Sequence, residues 1–272
     1  MPVLSNIFIY PVKSLAGIEV LNWQVNKKGL IHDRKWMLID HQNKFLSQRR
    51  LPKMALIKTQ LSDTELILSA ADSGSISLDI NPQGGDELTT SIWNDQCLSR
   101  AISKEADQWL SHFLQVDCKL VYQPNEVCRF VDPNYASATD IVNFSDGFPF
   151  LITSQASLDV LNLAMGVQLP MIRFRPNLVI SDCDSYEEDS WREITINNIQ
   201  FRLPKPCSRC PIPTIDTDTA QSSKEPLLTL SRLRKWNNKV FFGQNALHNN
   251  SGELSVNDTV KITQTGPKQP PL

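Results

Sequence analysis

Between residues 53 and 101 the chain consists of short stretches in which apolar and polar residues alternate, separated by clusters of Ser, Asp, Asn and Gly. The alternating stretches cover residues 55–61, 65–69, 75–80 and 97–101. Successive side chains of a strand point to opposite faces of a sheet, so this alternation is typical of strands with one buried face. The clusters supply turn-forming residues. The pattern predicts an antiparallel sheet or barrel in this part of the chain.

The rest of the sequence predicts further strands and only a few short helices, so the expected fold class is mainly β. Strands are expected at residues 4–10, 17–25, 35–40, 120–123, 178–181, 240–245 and 259–263, with a hairpin of 194–196 and 199–203. Ser103 and Ser154 are residue types that cap helices, and Pro226 suits the first turn of a third helix. A chain of 272 residues can form one large β domain or two smaller ones, and we expect residues 120–123 to begin the second.

The net charge and the hydropathy of the chain exclude some classes of binding partner and indicate a cellular compartment. The net charge of −2 gives no overall attraction to nucleic acid or to an anionic membrane, so we expect neither as a partner. The N-terminus lacks the features of a secretion signal, and no stretch reaches the roughly 18 apolar residues of a membrane span, which predicts a cytoplasmic protein. The six cysteines are scattered, so a disulfide framework is not expected.

The segment from residue 205 to 216 holds two cysteines three positions apart, with an arginine between them and prolines on both sides. Proline restricts its own φ and the residue before it, so Pro206, Pro211 and Pro213 exclude a regular helix and stiffen the segment. Thiolate is the form of cysteine that ligates metals and attacks electrophiles, and a neighbouring cation stabilises it. The segment therefore suits a reactive or metal-bound sulfur.

Three chemistries remain open for this pair of cysteines. A structural zinc site requires more ligands than the pair supplies, and the four histidines show no metal-ligand spacing. Dithiol exchange normally places the pair at the start of a helix, which Pro211 and Pro213 oppose. One thiolate could instead ligate a soft transition metal carried by an organic cofactor. Such a cofactor, if phosphorylated, needs anion-binding groups, and candidates near strand ends are Lys13, Ser14, Arg34, Arg173, Arg175 and Arg209.

Several motifs together resemble one known family. They are Tyr10-Pro11-Val12-Lys13-Ser14, Asp33-Arg34, Arg175-Pro176-Asn177 and Cys207-Ser208-Arg209-Cys210. In this order and spacing they are similar to the MOSC-domain molybdoenzymes, which include the mitochondrial amidoxime-reducing components and bacterial relatives that detoxify hydroxylaminopurine. The resemblance extends over nearly the whole chain.

The resemblance implies a MOSC N-terminal β-barrel module at residues 1–118, a MOSC domain at 119–265 and a tail at 266–272. Residues near 1–40 are expected to contribute to a molybdenum–molybdopterin site between the modules. It implies Cys210 as the molybdenum ligand and Cys207 as its support. The cofactor-binding residues implied are Lys13, Ser14, Arg34, Asp146, Gly147, Phe148, Arg175, Asn177, Ser208, Arg209 and Cys210. Where relatives carry Thr-Ser, this chain has Gly147-Phe148, so only backbone contacts are carried over there.

The activity implied is molybdenum-dependent reduction of small N-hydroxylated substrates such as hydroxylamines, amidoximes and hydroxylated purine bases. No cysteine follows Cys210, so electrons are expected from a separate flavin or iron–sulfur protein. Asp216 is a candidate proton donor, with a loop-capping carboxylate as the alternative. A rival function is a non-enzymatic carrier of sulfur or of the molybdenum cofactor.

Overall fold

The computed structural model of the chain describes residues 1–271, and Leu272, the last residue of the predicted tail, lies outside the described residues. The prediction of a mainly β fold with a few short helices is confirmed. The strands are β1 (Val3–Ile9), β2 (Ile18–Val20), β3 (Asn22–Asn26), β4 (Gly29–Leu30), β5 (Trp36–Ile39), β6 (Lys58–Leu61), β7 (Glu65–Ala70), β8 (Gly74–Asp79), β9 (Glu87–Ile92), β10 (Asp95–Ala101), β11 (Lys119–Tyr122), β12 (Arg129–Phe130), β13 (Ile141–Val142), β14 (Phe150–Ser154), β15 (Leu178–Ser181), β16 (Trp191–Ile196), β17 (Ile199–Ser208), β18 (Lys235–Trp236), β19 (Lys239–His248), β20 (Gly252–Ser255) and β21 (Val260–Thr265). The α-helices are α1 (Lys104–Leu114), α2 (Gln155–Met165) and α3 (Leu227–Leu233), and short 3-10 helices lie at Pro52–Leu56, Met171–Phe174, Glu187–Asp189 and Ile212–Thr214.

The largest sheet has nine strands and joins the two ends of the chain. Its order is β2-β1-β15-β14-β19-β17-β16-β21, with β18 paired to β19. Only β14 and β15 run parallel within it; the other pairs are antiparallel. Phe150, Trp191 and Phe201 are fully buried on the core side. Because β1 pairs with β15, the first residues of the chain are built into the sheet that carries the second half.

A second core lies under smaller sheets in the first half of the chain. One sheet has the order β5-β11-β10-β9, and another is the meander β6-β7-β8. Helix α1 begins at the predicted cap, where the Ser103 side chain accepts a hydrogen bond from the Ala106 N–H, and it buries Ala106, Leu110 and Phe113. Strand β11, predicted to begin the second module, pairs with β5 and β10. The first-half sheet therefore continues past residue 118.

Two predicted strands are corrected by the structure. The stretch at 55–61 is a strand only from Lys58, because Pro52 begins a 3-10 helix that ends at Leu56. The stretch at 17–25 is two strands, since β2 pairs with β1 while β3 pairs with β20 and β4. Leu21 separates them and is 76% exposed, so the alternation is interrupted there.

Strand β17 carries the chain from the predicted hairpin to the cysteine pair. The hairpin is confirmed, with Ile196 opposite Ile199 and Asn197-Asn198 as its turn. The strand continues through two prolines to Ser208, and its register with β19 shifts on both sides of that proline region. Proline cannot donate to a ladder, so such irregularities are expected where it enters a sheet. Within residues 1–271, no helix has both the length and the apolar character needed to cross a membrane.

Candidate functional site

A cleft lies where the end of β17 meets loops from both halves of the chain. Its cavity volume is about 140 Å³. The predicted cofactor-binding residues that line it are Lys13, Ser14, Arg34, Asp146, Gly147, Phe148, Arg175, Asn177, Ser208, Arg209 and Cys210. The structure thus brings together residues separated by up to about 200 positions, while their role toward a cofactor stays a prediction. Asp216 is the predicted site residue that does not line the cleft.

The cleft is strongly cationic in a protein whose net charge is −2. Its lining contains Lys13, Arg34, Arg49, Arg175 and Arg209 but a single carboxylate, Asp146. Positive charges lining a concave, partly desolvated surface raise the local concentration of anions and strengthen their binding. The lining is therefore suited to a phosphorylated or otherwise anionic ligand.

Tyr10 forms the centre of the cationic wall. Two guanidinium groups pack against its ring, with Arg34 Cζ at 4.3 Å and Arg175 Cζ at 4.2 Å from the ring centroid. Its hydroxyl donates a hydrogen bond to the Pro176 carbonyl oxygen at 3.0 Å. Burial raises the pKa of Tyr10 above its ordinary range, and burial lowers the pKa of Arg175 to about 10. Both guanidinium groups are within the range of a cation–π interaction with this ring, which helps to hold them in place.

Three residues of the cleft have left-handed backbone conformations although none is glycine. The φ angles are 67° at Ser14, 49° at Arg34 and 55° at Arg175. Such conformations cost free energy for residues with a Cβ and persist only where the surrounding contacts enforce them. Here the Arg34 N–H donates to the Tyr10 carbonyl oxygen at 2.8 Å, and the Arg175 N–H donates to the Ile172 carbonyl oxygen at 3.0 Å. Local strain of this kind concentrates at binding sites.

Two buried residues, Asp33 and Asn177, bond to the Arg34 guanidinium and hold it in place. The guanidinium donates to Asp33 and, at 3.0 Å, to the Asn177 side-chain oxygen. Burial raises the pKa of Asp33, although the ion pair with Arg34 opposes the shift. Asn177 also accepts from the Leu151 N–H at 3.2 Å and donates to the Phe8 carbonyl oxygen at 3.2 Å. These bonds engage the Asn177 amide, so its role in the structure is to position Arg34 and to join β1 and β14.

Lys13 and Asp146 form an ion pair across the two halves of the chain. The Lys13 ammonium also donates to the Phe144 carbonyl oxygen at 2.8 Å. Burial lowers the pKa of Lys13, while Asp146 opposes that shift. Burial acts to raise the pKa of Asp146, but Lys13 and the Arg49 guanidinium at 3.9 Å outweigh it and hold that pKa below its ordinary range. The carboxylate is therefore ionised and neutralises part of the cleft charge.

The cysteine pair forms the wall opposite Lys13. Arg209 is fixed by its N–H, which donates to the Val240 carbonyl oxygen at 2.8 Å. Its guanidinium donates to the Cys207 sulfur at 3.1 Å and to the Phe174 carbonyl oxygen at 2.6 Å. Its Nε is buried without a hydrogen-bond partner among residues 1–271. Both thiols are free and line the cleft, but they differ in their contacts, because Cys207 accepts a hydrogen bond from the Arg209 guanidinium and no such bond is made to Cys210 among residues 1–271.

Asp216 and Arg173 lie outside the cleft lining and face each other. Arg173 donates to the Pro213 carbonyl oxygen at 3.0 Å and lies 3.3 Å from an Asp216 oxygen. The other Asp216 oxygen accepts from the N–H groups of Asp218 at 3.1 Å and Thr219 at 2.9 Å. These donors lower the pKa of Asp216. The contacts are those of the loop-capping alternative, and the proton-donor role of Asp216 stays a prediction. Of the four arginines predicted to bind an anion, Arg34, Arg175 and Arg209 line the cleft and Arg173 does not.

Sequence reasoning did not select two residues that shape the site. Arg49 lines the cleft, and its guanidinium stacks on Trp93 at 4.2 Å. Tyr10 belongs to a quoted motif, but its position beside two arginines depends on contacts far apart in sequence. In the sequence, Arg49 is marked only by the neighbouring Arg50 and by Pro52 shortly after it. A solvent-exposed turn can have the same residues, so this short pattern does not identify a binding residue.

A metal held by protein side chains alone is not supported within residues 1–271. No group of three or more His, Cys, Asp or Glu side chains there is arranged to hold a metal ion. A metal at Cys210 would therefore need most of its ligands from a cofactor.

Comparisons with known proteins give matches over both halves of the chain. The family description "MOSC N-terminal beta barrel domain" matches residues 1–117, and "MOSC domain" matches residues 139–261. Mitochondrial amidoxime-reducing component 1 of Mus musculus is 33% identical over 277 residues, covering 95% of this chain and 82% of that protein. Its Homo sapiens counterpart is 31% identical over 282 residues, with the same coverage of 95% and 82%. Molybdenum cofactor sulfurase of Danio rerio is 31% identical over 265 residues, covering 90% of this chain but 32% of that protein.

Proposed function

Given that this chain belongs to the family of proteins with a MOSC N-terminal β-barrel domain ahead of a MOSC domain, we propose that its cationic cleft binds a molybdenum cofactor and reduces N-hydroxylated compounds. The observation that carries the proposal is the meeting of five cationic side chains with the free thiol of Cys210 in one cleft. The similarity to two amidoxime-reducing components over 95% of the chain supports the proposed reductase function.

The residues present fit a phosphorylated cofactor carrying a soft metal. The buried Nε of Arg209 lacks a partner within the described chain and can donate to an anion. A Cβ added at Gly147 would meet nothing within 4 Å, so the cleft is open beside this segment. Thiolate sulfur is a preferred ligand of soft transition metals. Lys13, Arg175 and Arg209 would neutralise the phosphate, and Cys210 would ligate molybdenum.

When bound, the cofactor supplies the two-electron chemistry that cleaves an N–O bond, with two protons consumed and an amine or amidine and water released. The chain's own contribution is to bind and orient. Arg34 and Arg175 both pack on the Tyr10 ring and are hydrogen-bonded to Asn177 and to the Leu15 carbonyl oxygen respectively, so they need little reorganisation when an anion enters. Phe148 lines the cleft with an edge-to-face contact to Tyr135 and provides an apolar wall where a substrate can exclude water. Electrons would come from a separate flavin or iron–sulfur protein.

Metal content of purified protein tests the ligand assignment. Cys210→Ala removes the proposed sulfur ligand, so we expect molybdenum content to fall at least about tenfold relative to the unaltered chain. The control is Cys128→Ala, which removes an exposed cysteine outside the cleft lining and should keep full occupancy. Full molybdenum occupancy in Cys210→Ala would contradict the assignment.

The alternative function is a carrier of sulfur or of the molybdenum cofactor. It is favoured by the 31% identity to molybdenum cofactor sulfurase over 265 residues. An assay of benzamidoxime reduction with an artificial electron donor separates the two functions. Turnover by molybdenum-loaded protein is expected for the reductase, whereas no turnover across several N-hydroxylated compounds would favour the carrier.

A further inference from the structure

A short hairpin projects from the large sheet near the cysteine pair. In this hairpin β18 pairs with the start of β19, with Lys235 opposite Val240 and Trp236 opposite Lys239. The two turn residues, Asn237 and Asn238, have φ angles of 45° and 61°. Two-residue turns with both φ angles positive match the twist of a hairpin, and Asn tolerates them well. The hairpin is therefore a compact projection that presents Lys235, Trp236 and Lys239 to solvent.

The charge of this region has one sign. Residues 226–252 contain no Asp or Glu. Arg234 is buried in an ion pair with Asp189, so it does not contribute to the surface. Arg232, Lys235 and Lys239 are exposed, and none of them has an ion-pair partner within the part of the chain that the structure describes. Arg232, Lys235 and Lys239 therefore contribute three positive charges that no ion pair within residues 1–271 compensates, while the Glu225 carboxylate lies at the start of α3, where it accepts hydrogen bonds from Thr229.

Exposed apolar side chains lie among these charges. Trp236 is 40% exposed, and Leu228 and Leu233 of α3 are 40% and 45% exposed. Helix α3 packs against both β18 and β19, so the three side chains belong to one region of the surface. Aromatic residues at the centre of a polar rim are typical of protein–protein interfaces. Single exposed leucines are common on protein surfaces and indicate nothing by themselves. An exposed tryptophan between two exposed lysines, beside two exposed leucines, indicates a contact surface.

The same hairpin contacts the cysteine pair directly. Phe241 of β19 lies opposite Ser208 in the sheet, and the Val240 carbonyl oxygen accepts the N–H of Arg209 at 2.8 Å. Arg209 precedes Cys210, whose thiol lines the cleft. One hydrogen bond and one peptide unit therefore connect the surface hairpin to the residue proposed to ligate the metal.

We propose that the β18–β19 hairpin and the exposed end of α3 form the docking surface for an acidic electron-transfer protein. The proposal rests on the reductase function proposed above, because each N–O bond reduced consumes two electrons that a redox partner can deliver. Cationic side chains steer an acidic partner, and Trp236 anchors it at the centre of the contact. Transient electron-transfer contacts are small, so a few charged side chains around one aromatic anchor are in keeping with such a contact.

Binding of an acidic [2Fe–2S] ferredoxin, used as the probe, tests the surface without requiring turnover. The altered chain is Lys235→Glu/Lys239→Glu, and the matched control is Lys104→Glu/Lys261→Glu, which makes the same charge change at exposed positions of α1 and β21. We expect the unaltered chain to bind ferredoxin with a dissociation constant that rises with ionic strength. Reversal of the hairpin charges should weaken binding about tenfold or more, whereas the control should stay within about twofold.

A second variant and a second measurement complete the test. Trp236→Ala should weaken ferredoxin binding about fivefold or more through loss of the anchor while leaving turnover with the artificial donor unchanged. Equal weakening by the hairpin and control charge reversals, or no binding by the unaltered chain at low ionic strength, would overturn the proposal. Failure of the reductase function would instead appear as absent turnover of the loaded, unaltered chain with the artificial donor, whatever the binding result.

Discussion

Tyr10 illustrates how a single side chain organises the site. It is completely buried, and two guanidinium groups that line the cleft, those of Arg34 and Arg175, pack against its ring. Its position depends on Gly17, because a Cβ at that residue would lie 2.4 Å from Tyr10 Cε1. The packing of Arg34 and Arg175 against the ring, and the hydrogen bond from its hydroxyl to the Pro176 carbonyl oxygen, restrict movement of the ring away from residue 17. The absence of a side chain at residue 17 is therefore a requirement of the cationic wall.

Gly17→Ala is expected to destabilise the protein by about 1–3 kcal/mol, because overpacking forces the ring or the backbone to shift. It should also weaken anion binding, since the positions of the two guanidinium groups depend on the ring. Urea unfolding measures the first effect. Gly147→Ala is the control, because its Cβ would meet nothing within 4 Å, and its stability should change by less than about 0.5 kcal/mol. Equal stabilities of the two variants would show that the Tyr10 ring has room to move.

At the scale of elements, the contact between α2 and the 3-10 helix Glu187–Asp189 contains a buried carboxyl group. Glu188 is fully buried, and both of its oxygens lie within hydrogen-bond distance of the Ser157 hydroxyl, at 2.8 and 3.0 Å. Burial, with the neighbouring Asp189, raises the pKa of Glu188 from its ordinary 4.5 to about 7. Between pH 4.5 and about 7, Glu188 is therefore protonated in the folded protein and ionised in the unfolded chain.

This linkage predicts a pH-dependent loss of stability. Unfolding releases a proton from Glu188 between pH 4.5 and about 7, so the contribution of this group to stability falls as pH rises through that window. The total change is up to about 3 kcal/mol. Glu188→Gln removes the titration and should gain stability relative to the unaltered chain between pH 4.5 and 7.5, measured by urea unfolding. The control is Glu193→Gln at an exposed position of β16, whose free energy of unfolding should depend on pH as that of the unaltered chain does. The same pH dependence in Glu188→Gln would refute the raised pKa of Glu188.

At the scale of the whole molecule, the cleft depends on contacts between distant parts of the chain. Lys13 pairs with Asp146, and Arg34 bonds to Asn177, so loops of the first half are fastened to the second half. Arg49 comes from the first half and lines the same cleft. Like charges gathered by folding repel one another, and a bound anion relieves that repulsion. An anionic ligand should therefore stabilise the whole fold.

Inorganic phosphate is expected to raise the melting temperature of metal-free protein more than chloride does at matched ionic strength. A ligand that binds only the folded state adds about 2.7 kcal/mol at one hundred times its dissociation constant. Arg49→Ala should reduce the phosphate-dependent increase, because this guanidinium lines the cleft. Its neighbour provides the control: Arg50 is exposed outside the lining, and Arg50→Ala should preserve the increase. The same loss in both variants would indicate general charge screening.

Most of the fold was predictable because strand and helix signals are local. The alternation at residues 65–69 and 75–80, the Ser103 cap and the turn at Asn197-Asn198 all predict elements that the structure contains. The failures occurred where pairing partners decide the outcome. The stretch at 17–25 divides between two sheets, because strand register and pairing partner depend on residues far away in sequence. The pairing of β11 with β5 depends on such distant residues in the same way, while the predicted domain boundary after residue 118 stays a prediction.

The sequence by itself determined the mainly β architecture and the stiff cationic segment with two cysteines, since periodicity and proline restriction act over a few residues. Its motifs also selected eleven residues that line one cleft. Only the tertiary structure decided how the segment is used. Arg209 turns toward Cys207, and Arg49 and Tyr10 join the cationic wall, while the Asp216 carboxylate caps its own loop. These outcomes depend on close contacts between residues distant in sequence, which no local pattern specifies.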